Sequence, residues 1–213
     1  MRAVLLLLCG LVSPAMAVPA SDCGAAIAVA EKASRTAPGL LAAIGLVESG
    51  RLEPRTRLRA PWPWTVTAEG VGTFYPGKVE AIRAVQSLQA RGVQSIDVGC
   101  MQVNLLHHPS AFRSLDDAFD PVLNARYAAR FLLTLFEKLR TWPEAAAGYH
   151  SMNPELGAPY GRLVAAVWAG APVPVVAGPG GTEIVSFPGG GQMRIIRDAV
   201  AWKGRVLGYM NDP

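Results

Sequence analysis

Gly45-Leu46-Val47-Glu48-Ser49-Gly50 closes a strongly apolar stretch that begins at Pro38. Leu40, Leu41, Ile44 and Val47 recur at helical spacing, so the stretch reads as a buried helix over 38–49. Pro38 suits a first helical turn, and Gly50 is placed to end the helix. A glutamate in the last turn of such a helix meets two effects that disfavour its charge, burial and the helix dipole. Both raise the pKa, and a carboxyl still protonated near neutral pH can protonate a poor leaving group. Taken alone, Glu48 reads more simply as a solvent-facing glutamate near a helix end, because most perturbable carboxylates are structural. The rest of the chain decides between the two.

Outward from this helix the chain is mostly helical. Residues 22–34 read as a helix capped by Ser21 or Asp22. Residues 51–77 hold Pro, Trp and Gly around a β-like Trp64-Thr-Val-Thr and a Thr73-Phe-Tyr, which predicts a small hairpin on the domain's edge. A helix follows from Lys78 to Arg91, with Val79, Ile82, Val85 and Leu88 on one stripe and Gly92 as stop. Ser114-Leu-Asp-Asp resembles a capping box for a brief helix. Asp120-Pro121 opens a long helix to about Arg140, and Thr141-Trp-Pro-Glu opens another that carries Ala145 to His150. A last helix is expected from about Tyr160 to Trp168. Beyond Gly170 the composition turns to Pro, Gly and Val, which reads as a linker followed by a short tail. Only Met193-Arg-Ile-Ile-Arg regains apolar alternation there; it is the one part suited to adding a strand to an exposed sheet edge.

The chain has 213 residues, enough for one ordinary domain. Arg2, the apolar run Val4–Val12 and the small-x-small Ala15-Met16-Ala17 have the layout of a secretory signal peptide. The run is too short for the ~20 apolar residues that span a bilayer, so no stable membrane span is expected after cleavage. The division is therefore 1–17 signal peptide, 18–170 domain, and 171–213 linker and tail, with the product in the periplasm. Removing Arg2 from 20 Lys and Arg leaves 19 against 16 Asp and Glu, a net charge of +3. That suits work near an anionic polymer. No Lys/Arg cluster with interleaved aromatics points to nucleic acid. Cleavage leaves Cys23 and Cys100, which in an oxidising compartment more often pair than stay free. A pair would close a long loop, worth roughly 4 kcal/mol in the chain-entropy model. Two buried free thiols remain the alternative, because sequence does not give their separation.

Two further segments carry chemistry: Asp97-Val98-Gly99-Cys100-Met101-Gln102-Val103-Asn104 and Ala147-Gly148-Tyr149-His150. Each is weak alone. In this order, on helix, turn and helix, the three segments resemble the soluble lytic transglycosylase family of the lysozyme-like superfamily, over roughly residues 22–169. There a Glu-Ser closes an apolar helix, a Gly-x-Met-Gln turn follows, and an Ala-Tyr-Asn-like segment comes later. The closest flavour is the small single-domain branch often linked to secretion and conjugation machines, where Gly-Cys-Met-Gln-x-Asn and a paired N-terminal cysteine also occur.

The resemblance implies a mainly α (α+β) lysozyme-like helical domain with a small β excursion and a flexible C-terminal tail. It implies that Glu48 is the single acid, cleaving the MurNAc–GlcNAc bond of peptidoglycan to leave 1,6-anhydro-MurNAc ends, with no cofactor and no metal. In the same way Ser49 would help orient the acid with its hydroxyl, and Gln102 would bind substrate or hold the cleft wall. Met101 would form the apolar wall near the acid, and the Tyr149 hydroxyl would approach the carboxyl. Peptidoglycan glycan strands are the expected partner, with an envelope-spanning secretion, conjugation or motility machine as a further one.

The sequence departs from the family's pattern in three places. The stretch between Glu48 and Gly99 is longer than in compact members, His150 replaces the usual Asn, and the tail has no counterpart. Two rival functions stand beside the main one: a hydrolytic muramidase on the same fold, and a non-catalytic peptidoglycan-binding assembly protein. His107, His108 and His150 match no metal-site spacing. Asp97 could be a second carboxylate for a two-acid glycosidase, but reads more simply as a turn-former before Gly99.

Overall fold

The computed structural model describes residues 22–53, 56–177, 182–186 and 192–196. The segment expected as a signal peptide lies outside the described residues. Local capping chemistry sets most of the helices. Asp22 accepts from the Ala25 amide and starts α1 (Cys23–Ser34). Helix α2 (Leu40–Ser49) begins two residues later than the Pro38 reading, at a left-handed Gly39, and has no cap of its own. Glu31 of α1 supplies one, accepting from the Gly39 and Leu41 amides at 2.7 and 3.0 Å. Gly50 ends α2 in an extended rather than a left-handed conformation, so the chain runs straight into strand β1 (Gly50–Leu52). Strand β2 (Arg59–Pro61) pairs antiparallel with it.

The expected hairpin is β3 (Thr65–Ala68) and β4 (Val71–Phe74), followed by α3 (Lys78–Ala90). Next come β5 (Ile96–Val98), a tight turn, and β6 (Val103–Asn104). Ser114, Asp120 and Thr141 cap α4 (Leu115–Ala118), α5 (Pro121–Leu139) and α6 (Trp142–His150) with their side-chain oxygens.

The last helix is longer than expected. Helix α7 runs Pro154–Trp168, because Asn153 caps it and Pro154 takes its first position. Pro159 lies inside it and masked its start in the sequence. Gly161 lets α7 lie directly on α6: a Cβ there would stand 2.8 Å from the Ala147 Cβ.

The region expected as linker and tail departs most from its composition. It contributes β7 (Val175–Ala177), β8 (Thr182–Ser186) and β9 (Gln192–Ile196). The sheet runs β6-β5-β3-β4-β9-β8-β7, antiparallel except for the parallel β4–β9 pair. The Met193–Ile196 alternation does add a strand to a sheet edge, and that edge belongs to its own domain. The physical reason is period 2: alternation in five residues suffices once an edge strand offers its unpaired amides.

Two buried clusters result. The larger gathers α1, α2, α5, α6 and α7 around Ile27, Leu41, Ile44, Leu132 and Leu163. Burying each such side chain contributes about 1.5–3 kcal/mol. The smaller packs α3 and α4 on the sheet through Val66, Val85, Ile96, Val98 and Phe119. The fold is α+β and lysozyme-like. No described helix is long and apolar enough to cross a membrane.

Candidate active site

A cleft of about 1200 Å³ is lined by residues of the helices and of the sheet, with Glu48, Asp97, Tyr149 and Tyr160 among them. Glu48 stands at the end of α2, where Leu41, Ile44 and Val47 are buried on the core side. It is only partly exposed, and the cleft walls strip its carboxyl of water. Burial is the main cause that lifts its pKa from 4.5 to about 8. The charge of Asp97 pushes in the same direction, and a hydrogen bond from Tyr160 pulls against both. At neutral pH the group is therefore mostly a neutral acid.

The tyrosine that reaches this carboxyl is Tyr160, whose hydroxyl donates to Glu48 Oε1 at 2.6 Å. The expectation had the Tyr149 hydroxyl approach the same carboxyl. Tyr149 instead donates to the Met101 carbonyl at 2.8 Å, while lying close enough to feel the charges of Glu48 and Asp97. Burial first, and the charge of Glu48 second, hold both phenols well above their ordinary pKa, with Asp97 adding to the effect on Tyr149. Tyr160 itself is stacked on His150, with ring centroids 4.8 Å apart. Burial lowers the pKa of His150, which keeps the ring neutral.

The Gly99-Cys-Met-Gln turn is anchored from four sides. Cys100 forms the disulfide with Cys23, at a Cα–Cα distance of 5.7 Å, which removes it as a nucleophile. The Ser49 hydroxyl, expected to orient the acid, donates to the Cys100 carbonyl at 2.6 Å. It ties the end of α2 to the turn and acts on Glu48 only through the backbone. Buried Asn124 of α5 accepts from the Met101 amide and donates to the Val98 and Ala118 carbonyls. Gln102, at φ 47°, adopts a left-handed conformation unusual outside glycine. Its amide offsets that cost by donating to the Gly99 and Thr65 carbonyls and accepting from Thr67. Gly99 is needed as glycine, since φ is +82° and a Cβ would run into the Asn124 amide.

Of the expected site residues, Glu48 and Tyr149 line the cleft together. Gln102 also lines it, but its amide groups are taken by the protein, so it holds the wall. Met101 is fully buried in the helical core behind the cleft, not in the wall, and contributes its carbonyl. Asp97 is not in the turn at all. It sits mid-strand in β5 and lines the cleft, with Asn104 Nδ2 donating to its Oδ1 at 2.8 Å. Burial raises its pKa to about 6, against the lowering effects of Asn104 and His107. His108 shares a 2.9 Å hydrogen bond with Tyr127, and both rings join Phe131 on the α5 side of the cleft. Among the described residues no group of three or more His, Cys, Asp or Glu is placed to hold a metal ion.

Tyr160 and Asn124 were missed by sequence reading. Tyr160 meets Glu48 across 112 positions, and no local pattern marks it. Asn124 had one available signal, a polar residue on the otherwise apolar face of α5.

The sequence profile of the transglycosylase SLT domain matches residues 25–155. The chain belongs to the transglycosylase SLT family. The match covers all three motif segments and well over half the chain, and it stops short of Tyr160. No curated protein and no solved structure matches the chain. The SLT family belongs to the lysozyme-like superfamily, and its function is lytic transglycosylase-type degradation of peptidoglycan in the cell envelope.

Proposed function

We propose that this SLT domain cleaves the β-1,4 bond between MurNAc and GlcNAc and leaves 1,6-anhydro-MurNAc ends, with Glu48 as the one proton donor and acceptor. The observation that carries this is Glu48 itself, a carboxyl at the floor of the cleft with a pKa near 8 and one oxygen engaged by Tyr160. With Oε1 accepting from the phenol, the acidic proton belongs on Oε2. Transfer of that proton to the glycosidic oxygen lets the C1–O bond break. The resulting carboxylate, stabilised by Tyr160, then takes the proton of the MurNAc C6 hydroxyl as its oxygen bonds to C1. Glu48 ends as it began, and no water is consumed. Export through residues 1–17 and service to an envelope-spanning machine belong to the same reading, on the resemblance to the secretion-associated branch.

The test is digestion of purified peptidoglycan by wild type and Glu48→Gln, with products weighed by mass spectrometry. Wild type should release muropeptides lighter by one water than hydrolysis products, and Glu48→Gln should be at least ~10³-fold slower. Products carrying the added water would make the domain a muramidase, and an active Glu48→Gln would move the acid elsewhere.

A further inference from the structure

Resting on that reading of Glu48, one residue that the sequence sets apart is still without a role. His150 stands where the family pattern has Asn, lines the cleft, and is the last residue of α6. Its ring lies flat against that of Tyr160, the phenol bound to the acid, with 12° between the two planes. Tyr160 is 2% exposed whereas His150 is exposed, so the imidazole stands between the phenol and solvent.

Tyr160 needs such a support because its own helix holds it poorly. Pro159 has no amide to donate back along α7, so the ladder lacks its bond to the Glu155 carbonyl. Gly157 and Gly161 flank Tyr160, and both are poor helix formers. Contact with α6 explains those glycines. A Cβ on Gly157 would stand 2.9 Å from the Ala147 carbonyl oxygen, and one on Gly161 would stand 2.8 Å from the Ala147 Cβ. Helix α7 is thus pressed onto the last turn of α6, and that approach lays the His150 ring against Tyr160. Core side chains hold the phenol from behind, and His150 closes the cleft side. A parallel ring with its centroid 4.8 Å away opposes the χ1 swing that would carry the hydroxyl off Glu48 Oε1.

We propose that His150 is a positioning residue whose ring holds the Tyr160 phenol on Glu48 Oε1, and through it keeps the acidic proton on Oε2. It acts on the reaction only through Tyr160. With the phenol fixed, the carboxylate left after proton transfer meets its donor already in place, and no reorganisation is needed when charge appears. Tyr149 from α6 and Asp97 from β5 are the titratable groups that couple to the Tyr160–Glu48 pair. Replacing His150 removes neither, and His150 is itself neutral in the alkaline range because burial lowers its pKa. A change in the acid's titration therefore reports the Tyr160 hydrogen bond.

The experiment measures kcat and KM against pH on a soluble GlcNAc–MurNAc oligosaccharide. The proteins are wild type, His150→Ala, His150→Phe, Tyr160→Phe, the Tyr160→Phe/His150→Ala double variant and Glu48→Gln. His150→Ala should lower kcat about 3- to 10-fold with KM within about twofold, the size of one aromatic pair. The alkaline limb of its kcat/KM should move up, because the donor that favours the charged carboxylate is loosened. His150→Phe keeps a flat ring without a ring nitrogen and should restore both values. In the Tyr160→Phe background, His150→Ala should cost less than about twofold more, since the hydroxyl it serves is gone. The proposal is overturned by a His150→Ala enzyme with wild-type kcat and alkaline limb, by a loss confined to KM, or by His150→Phe as impaired as His150→Ala. The full loss persisting in the double variant would also overturn it, by putting His150 on the substrate. If His150→Ala fails to fold, His150→Leu, bulky but not planar, replaces it under the same outcomes. An active Glu48→Gln would instead sink the underlying reading, whatever His150 does.

Discussion

Replacing Glu48 by Gln should make the protein more stable as it makes it inactive, and the gain should depend on pH in a calculable way. The unfolded carboxyl titrates near 4.5 and the folded one near 8. Between these values the unfolded chain releases a proton that the native state retains, so native stability falls as pH rises. At pH 7 the penalty is about 3 kcal/mol, and at pH 5 it is under about 1 kcal/mol, using 1.36 kcal/mol per pH unit. Gln carries no such penalty, and its carbonyl oxygen still accepts from Tyr160. Urea unfolding of both proteins at pH 5 and 7 measures the difference directly. Relative to wild type, Glu48→Gln should gain about 2–3 kcal/mol between pH 5 and pH 7. A difference that is flat with pH, or that shrinks toward pH 7, would refute the claim that the cleft keeps this carboxyl protonated.

Tyr160→Phe removes the donor that favours the charged carboxylate, so the alkaline limb of kcat/KM should move to higher pH and kcat should fall about 10- to 100-fold; an unchanged alkaline limb would separate Tyr160 from the acid. Once residues 1–17, and Cys9 with them, are removed, the oxidised protein should show no titratable thiol, and reduction should cost roughly 4 kcal/mol in urea unfolding, as expected for a bond between residues 77 apart. A chain ending at Gly170 should keep its cleavage rate, because among the described residues no cleft residue lies beyond Tyr160. It should self-associate more, because β4 loses β9 and exposes an edge. A lost rate in a folded, monomeric truncation would place the tail in the working site.

The parts of this fold that were legible in the sequence are those fixed within about four residues. Asp22, Ser114, Asp120 and Thr141 each cap the helix they were expected to start, because a cap is a local hydrogen bond. Where the local signals conflict, reading failed. Asn153-Pro154-Glu155 is a full start signal, yet Gly157 and Pro159 behind it argued against a helix that tertiary packing on α6 imposes. The tail misled for a similar reason. Its Pro and Gly runs dominate the composition, while strand formation depended on a partner, β4, over a hundred residues earlier.

The candidate site divides along the same line. Glu48 was found because its helix pattern and motif surround it, and Gly99 because a tight turn leaves a compositional mark. Tyr160, Asn124 and the cleft-facing direction of Asp97 depend on contacts between distant segments. Tyr149 shows the limit of analogy by position: the motif placed a phenol near the acid, and the phenol that bonds it is on the next helix.

The bond between Cys23 and Cys100 also has a topological consequence. Glu48 and Asp97 both fall inside the ring it closes, along with the hairpin and α3. A single cut anywhere in residues 24–99 therefore leaves one covalent molecule, with the acid's helix still joined to the turn that walls its cleft. The ring also tolerates growth: doubling such a loop costs only ~0.6 kcal/mol in closure entropy. The long excursion between the two carboxylates can thus vary in length while both of its ends stay fastened to the same place.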